Sequence, residues 1–181
     1  MAVITITLNK IRAHSPCESG WKTLLKAKAG VGMDAEFPLS DVLDSNDLAD
    51  TLWCLRCLPE HDNLWRLYAV WCARQVQHLM KDQRSIDALD VAGRHARGLA
   101  TDAELDAARA AARDAARNAA WDAAWNAELA ASRAASWANA GDAARAAARA
   151  AAREAAGEAA GEAARAAQAQ KLREILNRGE W

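Results

Sequence analysis

The sequence predicts an all-α protein in two parts: a small helical domain over residues 1–100 and a long alanine-rich arm over residues 101–181. Apolar residues recur at helical spacing through the first hundred residues. Residues that favour strands are scarce after residue 8, and the chain has only nine Gly and three Pro. Between residues 102 and 170, 36 of 69 residues are alanine, which has the highest helix propensity.

The first 38 residues are predicted as two helices followed by a loop. Residues 3–7 are compatible with a short strand, but no partner strand is apparent in the sequence. We therefore favour a helix that is capped by Thr7 and runs through Ala13. Pro16 is expected at the first position of the second helix, and residues 30–38 are expected to form a loop.

Four short helices are predicted between this loop and the arm. Their expected bounds are a helix capped by Ser40, one from Ser45 or Asn46 to Pro59, one over residues 60–81 and one over residues 84–97. Their apolar side chains lie at helical spacing and are expected to form a core.

The alanine-rich arm opens with a capping box and then follows a strict four-residue order. Thr101 is followed three residues later by Glu104, the spacing at which the two side chains cap each other's backbone N–H groups. Every fourth residue from Ala107 to Ala167 is alanine, with Asn139 as the one exception. A second column at this spacing carries larger or charged side chains, and it begins with Leu105, Arg109, Arg113, Arg117, Trp121 and Trp125.

A four-residue column does not stay on one face of an α-helix. Each repeat exceeds one full turn, so a column moves about 40° around the helix axis per repeat. The large side chains are therefore expected to spiral around the arm. A period above 3.6 residues also favours a right-handed wrap of a packed partner.

The arm is expected to be a helical hairpin or a single rod of about 110 Å, and we favour the hairpin. Residues 139–142 place a glycine, which ends helices, before an aspartate, which caps them. In a hairpin that folds back at Gly141, Trp121 lies opposite Gly161, so a large side chain faces a residue that has none. The same hairpin also sets Arg117 opposite Arg165, which repel each other, so both arrangements stay open.

Composition and charge limit the cellular compartment and the class of binding partner that we expect for the protein. The chain has 23 Lys and Arg against 24 Asp and Glu, so global charge gives no argument for nucleic acid or an anionic membrane. No stretch approaches the roughly 20 apolar residues that span a bilayer. The first 12 residues lack the apolar core of a signal peptide. We expect a cytoplasmic protein with free thiols and no membrane partner.

No arrangement of residues predicts catalysis, so we expect that the protein is not an enzyme and has no cofactor. Cys54 and Cys57 have CxxC spacing but lie inside a predicted helix among apolar residues, where buried thiols are expected. A zinc site would also need Cys17 and Cys72, whose spacing is irregular. Buried thiols are therefore favoured over a redox or metal site, although metal binding by the four cysteines stays open.

The arginines and tryptophans of the arm are the most suggestive feature. Both residue types are enriched at the centres of protein interfaces. They also bind phosphates and stack on bases, and arginine alone keeps an alanine helix soluble. The predicted partner-binding residues are Arg109, Arg113, Arg117, Trp121, Trp125, Arg133, Trp137, Arg145, Arg149 and Arg153.

Three stretches resemble known proteins. Residues 8–25 (LNKIRAHSPCESGWKTLL) and 44–56 (DSNDLADTLWCLR) resemble a group of small proteins that are common in phage and prophage genomes. Residues 88–109 (ALDVAGRHARGLATDAELDAAR), which run into the repeat, resemble immunity proteins of the Imm5 type. The resemblance implies a mobile-element protein that binds and neutralises a toxin or a bacterial defence system, as anti-CRISPR proteins do. It brings no catalytic residues.

We therefore expect a non-enzymatic inhibitor in a bacterial host. It would bind a protein or ribonucleoprotein effector through the arm and block it by steric occlusion. One alternative is a nucleic-acid-binding protein that uses the arginines on phosphates, with an affinity that falls steeply with salt. Another is a structural module that forms homo-oligomers through its alanine columns.

Overall fold

A computed structural model of the chain describes residues 2–118 and 158–181. These residues are mostly helical, with eight α-helices and one two-stranded sheet, so the prediction of an all-α protein is confirmed. The helices are α1 (Leu8–Ala13), α2 (Glu18–Ala27), α3 (Ser40–Ser45), α4 (Leu48–Cys54), α5 (Asp62–Arg74), α6 (Gln83–His95), α7 (Asp102–Asn118) and α8 (Glu158–Arg178). The strands are β1 (Thr5–Ile6) and β2 (Phe37–Pro38).

The strand that the sequence analysis set aside is present. β1 pairs antiparallel with β2, and Ile6 lies opposite Phe37. Residues 3–7 therefore do have a partner strand, contrary to expectation, and the assignment of residues 30–38 entirely to a loop was also wrong. The partner was missed because it is two residues long and includes Pro38, a residue type that is rare within sheets.

The helix favoured for this region follows the strand directly. Thr7 Oγ1 accepts a hydrogen bond from the backbone N–H of Lys10 at 3.1 Å, which confirms Thr7 as the N-cap of α1. Pro16 was placed wrongly, because Cys17 is the N-cap of α2 and the proline precedes it.

Two other predicted helix starts differ by one or two residues. Ser40 is the first residue of α3 and is not its N-cap. α4 is capped by Asp47, whose carboxylate accepts the N–H of Asp50 at 2.8 Å, so the expected start at Ser45 or Asn46 was wrong.

The helix predicted over residues 60–81 is shorter than expected. A 3-10 turn occupies residues 59–61, α5 ends at Arg74, and another 3-10 turn follows at Gln77–Leu79. The apolar spacing continues through these turns, which is why the sequence could not separate them from α5.

One hydrophobic core joins the first hundred residues to both described ends of the arm. Trp65, Tyr68 and Leu55 are among its large buried side chains from the first hundred residues. Leu105 of α7 and Leu172 of α8 are buried in the same cluster. α7 packs along α6, whereas α8 packs on α3, α4 and α5. Within residues 2–118 and 158–181, no helix is long and apolar enough to cross a membrane.

Candidate functional site: the base of the alanine-rich arm

The alanine-rich arm begins at the turn between α6 and α7, where side chains on either side of the turn form hydrogen bonds. Glu104 Oε2 accepts the N–H of Thr101 at 2.7 Å, and Thr101 Oγ1 accepts the N–H of Glu104 at 3.2 Å, so the predicted capping box is confirmed. The hydrogen bonds from Thr101 hold the pKa of Glu104 below its usual range. His95 Nε2, at the end of α6, lies 2.8 Å from Asp102 Oδ1 at the start of α7. These contacts fix the direction in which α7 leaves α6.

Burial along α7 follows the predicted rotation of the four-residue columns. The column of large residues passes from buried through half-buried to exposed at Leu105, Arg109 and Arg113. The alanine column passes in the opposite sense, from exposed to buried, at Ala107, Ala111 and Ala115. Because each repeat turns a column by about 40°, alanine rotates into the core as arginine rotates out of it.

The first two predicted binding arginines lie in different environments. Arg113 is exposed and has no ion pair within the described part of the chain. Arg109 is half-buried, and its Nε atom is buried without a hydrogen-bond partner among the described residues. Arg113 is therefore available to a partner in a way that Arg109 is not.

The remaining predicted partner-binding residues are not placed by the structure. Arg117 belongs to α7, but its side chain lies outside the described residues. Also outside them are Trp121, Trp125, Arg133, Trp137, Arg145, Arg149 and Arg153.

The far end of the arm is fastened to the first hundred residues inside the core. Leu172, Ile175 and Leu176 of α8 are buried in the common cluster. The hydroxyl of Tyr68 in α5 donates a buried hydrogen bond to the backbone carbonyl of Gln168 at 3.1 Å. The N–H of Ile4 donates to the carbonyl of Leu176 at 2.8 Å. Apolar packing and these hydrogen bonds thus hold α8 in place.

A charge pair lies at the edge of this contact. Arg173 donates to both carboxylate oxygens of Asp44, at 3.1 and 2.6 Å. The hydrogen bond from Arg173 holds the pKa of Asp44 below its usual range. The two side chains are 40% and 59% exposed, so solvent screens the pair and its contribution to stability is small, below about 1 kcal/mol.

α8 ends at a glycine that the local geometry requires. Gly179 has φ +68°, and its N–H donates to the carbonyl of Ile175 at 2.8 Å, as in a left-handed helix cap. A Cβ atom on this residue would lie 2.2 Å from the backbone oxygen of Ala2. Gly179 therefore ends the helix and also admits the N-terminal segment beside it.

Both described ends of the arm thus meet one core. A single straight helix would separate Leu105 from Leu172 by about 100 Å, yet both side chains belong to the same buried cluster. Leu105 and Leu172 therefore do not lie at the two ends of a straight rod. The turn predicted at residues 139–142 lies outside the described residues, and the predicted division at residue 100 stays a prediction.

Three cysteines are buried, as the sequence analysis favoured. Cys54, Cys57 and Cys72 are each at most 3% exposed, and burial raises the pKa of Cys57 to about 11 and of Cys72 to about 12. Thiols that stay protonated in this way are poor nucleophiles. Cys17 is exposed. In the described ranges, no three His, Cys, Asp or Glu side chains are grouped as a metal site would require.

The residues that fasten α8 were not predicted from the sequence. Their signal was available, because Leu172, Ile175 and Leu176 interrupt the alanine pattern at helical spacing. The partners Tyr68 and Asp44 had no local signal, because their contacts to α8 join residues 100 and 129 positions apart.

Comparison with known proteins gives no match, since no family model, curated protein or solved structure is significantly similar to this chain. The resemblance to phage-encoded proteins and to Imm5-type immunity proteins stays a prediction.

Proposed function

We propose that this protein is a non-enzymatic binding protein of phage or prophage origin that uses its alanine-rich arm to cover a functional surface of a bacterial effector. In this proposal the arm is a helical hairpin with its turn at residues 139–142. The effector is a protein or ribonucleoprotein of a toxin or defence system, and inhibition is steric.

One observation carries the proposal: both described ends of the arm are fastened into the same core. A segment held at two ends has fewer arrangements to lose on binding than one held at a single end. Such fastening is expected where a long, alanine-rich segment serves as a recognition surface. The exposed guanidinium of Arg113, at the end of the described part of α7, supports the same interpretation.

The experiment is affinity capture with the full chain. The tagged protein is incubated with bacterial lysate, with and without nuclease treatment, and retained molecules are identified by mass spectrometry. A stoichiometric protein that survives nuclease treatment supports the inhibitor proposal. Retention of nucleic acid without a stoichiometric protein, which disappears with nuclease, contradicts it and favours the nucleic-acid alternative, for which affinity should fall steeply with salt. Capture of this chain alone favours the homo-oligomer.

A charge-matched pair of variants then tests the surface. Arg113→Ala with Arg117→Ala removes two positive charges from the arm, and Arg12→Ala with Lys26→Ala removes two exposed ones from α1 and α2. The first pair is expected to weaken capture about tenfold or more, as loss of interface arginines does. Equal capture by both double variants would contradict the arm as the contact surface.

A further inference from the structure

A cleft of about 210 Å³ lies between α2 and α4. Its walls include the buried side chains of Ile11, Leu24 and Val42 and the half-buried indoles of Trp21 and Trp53. Three polar side chains also line it: Cys17, Asn46 and Asp50. An apolar cleft with a few convergent polar groups is the usual form of a small-ligand site, and this volume suits a compact group.

The carboxylate of Asp50 is held in the cleft by one neutral donor, the side-chain amide of Asn46. Asn46 Nδ2 donates to Asp50 Oδ2 at 2.8 Å and to the backbone carbonyl of Gly20 at 2.9 Å. Ser45 Oγ donates in turn to Asn46 Oδ1 at 2.8 Å. Within the described residues, Asp50 forms no ion pair. The negative charge is thus fixed in orientation but not neutralised.

A glycine in the interior of α2 makes room for this carboxylate. A Cβ atom on Gly20 would lie 2.7 Å from Asp50 Oδ2 and 3.2 Å from the sulfur of Cys17. Alanine is the better helix former at such a position. The close approach of a partly buried carboxylate gives a structural reason for the glycine.

The aromatic wall suits a positive charge. The guanidinium carbon of Arg56 lies 4.8 Å from the ring centroid of Trp53, so this indole already holds a cation and Trp21 is the indole that remains for a ligand. Trp21 has no cation over its ring among the described residues. Indole faces attract cations, and a carboxylate attracts them more strongly where apolar walls exclude water.

We infer that this cleft binds an alkylammonium group, with Asp50 as the counter-charge and Trp21 and Trp53 as the aromatic wall. The ligand is either a free small amine or a lysine side chain of another protein, because both present the same chemistry. This inference is independent of the proposed function of the arm.

The test is an NMR titration of the full-length, ¹⁵N-labelled protein with n-butylammonium. The indole N–H signals of Trp21 and Trp53 report on the cleft and are assigned with Trp21→Phe and Trp53→Phe. n-Butanol is the neutral probe of matched size. We expect saturable shifts with n-butylammonium. We expect n-butanol to bind at least about tenfold more weakly, because it lacks one charged contact. Equal binding of both probes, or no shift, would overturn the inference.

Two variants separate the charge from the shape of the cleft. Asp50→Asn keeps an acceptor for Asn46 and is expected to weaken n-butylammonium binding about tenfold, whereas Asp87→Asn on α6, an exposed control, leaves it unchanged. Gly20→Ala keeps the charge but displaces the carboxylate, so binding weakens while circular dichroism shows a retained helix content. Wild-type affinity in either Asp50→Asn or Gly20→Ala would overturn the inference.

A second probe identifies the source of the ammonium group. Nα-acetyl-lysine-N-methylamide is titrated in parallel with n-butylammonium. Saturable binding of the lysine derivative at an affinity equal to that of the free amine supports a protein-borne lysine as ligand. Binding of n-butylammonium alone supports a free amine, and binding of neither probe overturns the inference.

Discussion

The first hundred residues and the alanine-rich arm contribute to one core in different ways. The first region fills it with large side chains, among them Trp65, Tyr68 and Leu55. In the described part of the arm, the buried residues of this core are leucines and an isoleucine together with Ala112, whose single methyl group removes little apolar surface from water. The attachment of the arm therefore depends on the few large residues at its two ends. Alanine therefore favours the helical conformation of the arm, whereas the few large side chains that interrupt the alanine pattern attach the helix to the core.

The largest loss of stability is expected when one of these large side chains is truncated. Leu172→Ala should lower the free energy of unfolding by about 2–5 kcal/mol, because it leaves a cavity in the common core. Leu99→Ala is the matched control, since Leu99 is 66% exposed, and it should change stability by less than about 0.5 kcal/mol. Urea denaturation measures both. Similar values for the two variants would show that α8 is not held by its leucines.

A smaller loss of stability is expected for a substitution at the contact between α8 and the N-terminal segment. Gly179→Ala adds a Cβ against the backbone oxygen of Ala2, in addition to the cost of a positive φ, and should destabilise by about 2–3 kcal/mol. Gly30 also has positive φ, but a Cβ atom added there would meet no other atom within 4 Å, so Gly30→Ala isolates the backbone cost, about 1 kcal/mol. Equal losses in thermal denaturation would mean that Ala2 does not pack against Gly179.

A smaller loss of stability is expected when one buried hydrogen bond to α8 is removed. Tyr68→Phe keeps the aromatic ring in the core but removes the hydrogen bond that the hydroxyl donates to the carbonyl of Gln168, which should cost about 0.5–1.5 kcal/mol. Hydrogen exchange should show the additional opening mainly in α8 and less in α5. Unchanged exchange in α8 would contradict the role of Tyr68 in fastening it.

The smallest effect is expected at the exposed charge pair. Since Arg173 holds the pKa of Asp44 below its usual range, the pair stabilises the fold above the unfolded-state pKa, and this contribution is lost as pH falls through the folded-state pKa. Asp44→Asn should therefore cost up to about 0.5 kcal/mol at pH 6, after allowance for solvent screening. The difference in stability between the two proteins should therefore shrink as pH falls below the usual pKa range of an aspartate. A difference that grows at low pH would contradict this assignment.

The sequence was informative wherever the cause of a structure is local. The caps at Thr7 and Thr101 and the rotation of the columns along α7 each depend on neighbours within a few residues.

Structures that depend on distant partners were missed. β1 finds its partner about thirty residues away, and Tyr68 meets Gln168 across a hundred. The carboxylate of Asp50 lies beside Gly20 only because α2 and α4 pack together. No local pattern encodes these juxtapositions, since they follow from packing of the whole core.

The central claim is that both ends of the arm meet on one folded base. Its most direct test is a spin-label distance between Asp106→Cys and Gln170→Cys, two exposed positions on α7 and α8, in a Cys17→Ser background. We expect a distance below about 40 Å, the width of a compact domain of this size. A single straight helix would place the labels about 95 Å apart, so a distance beyond the measurable range would contradict the account.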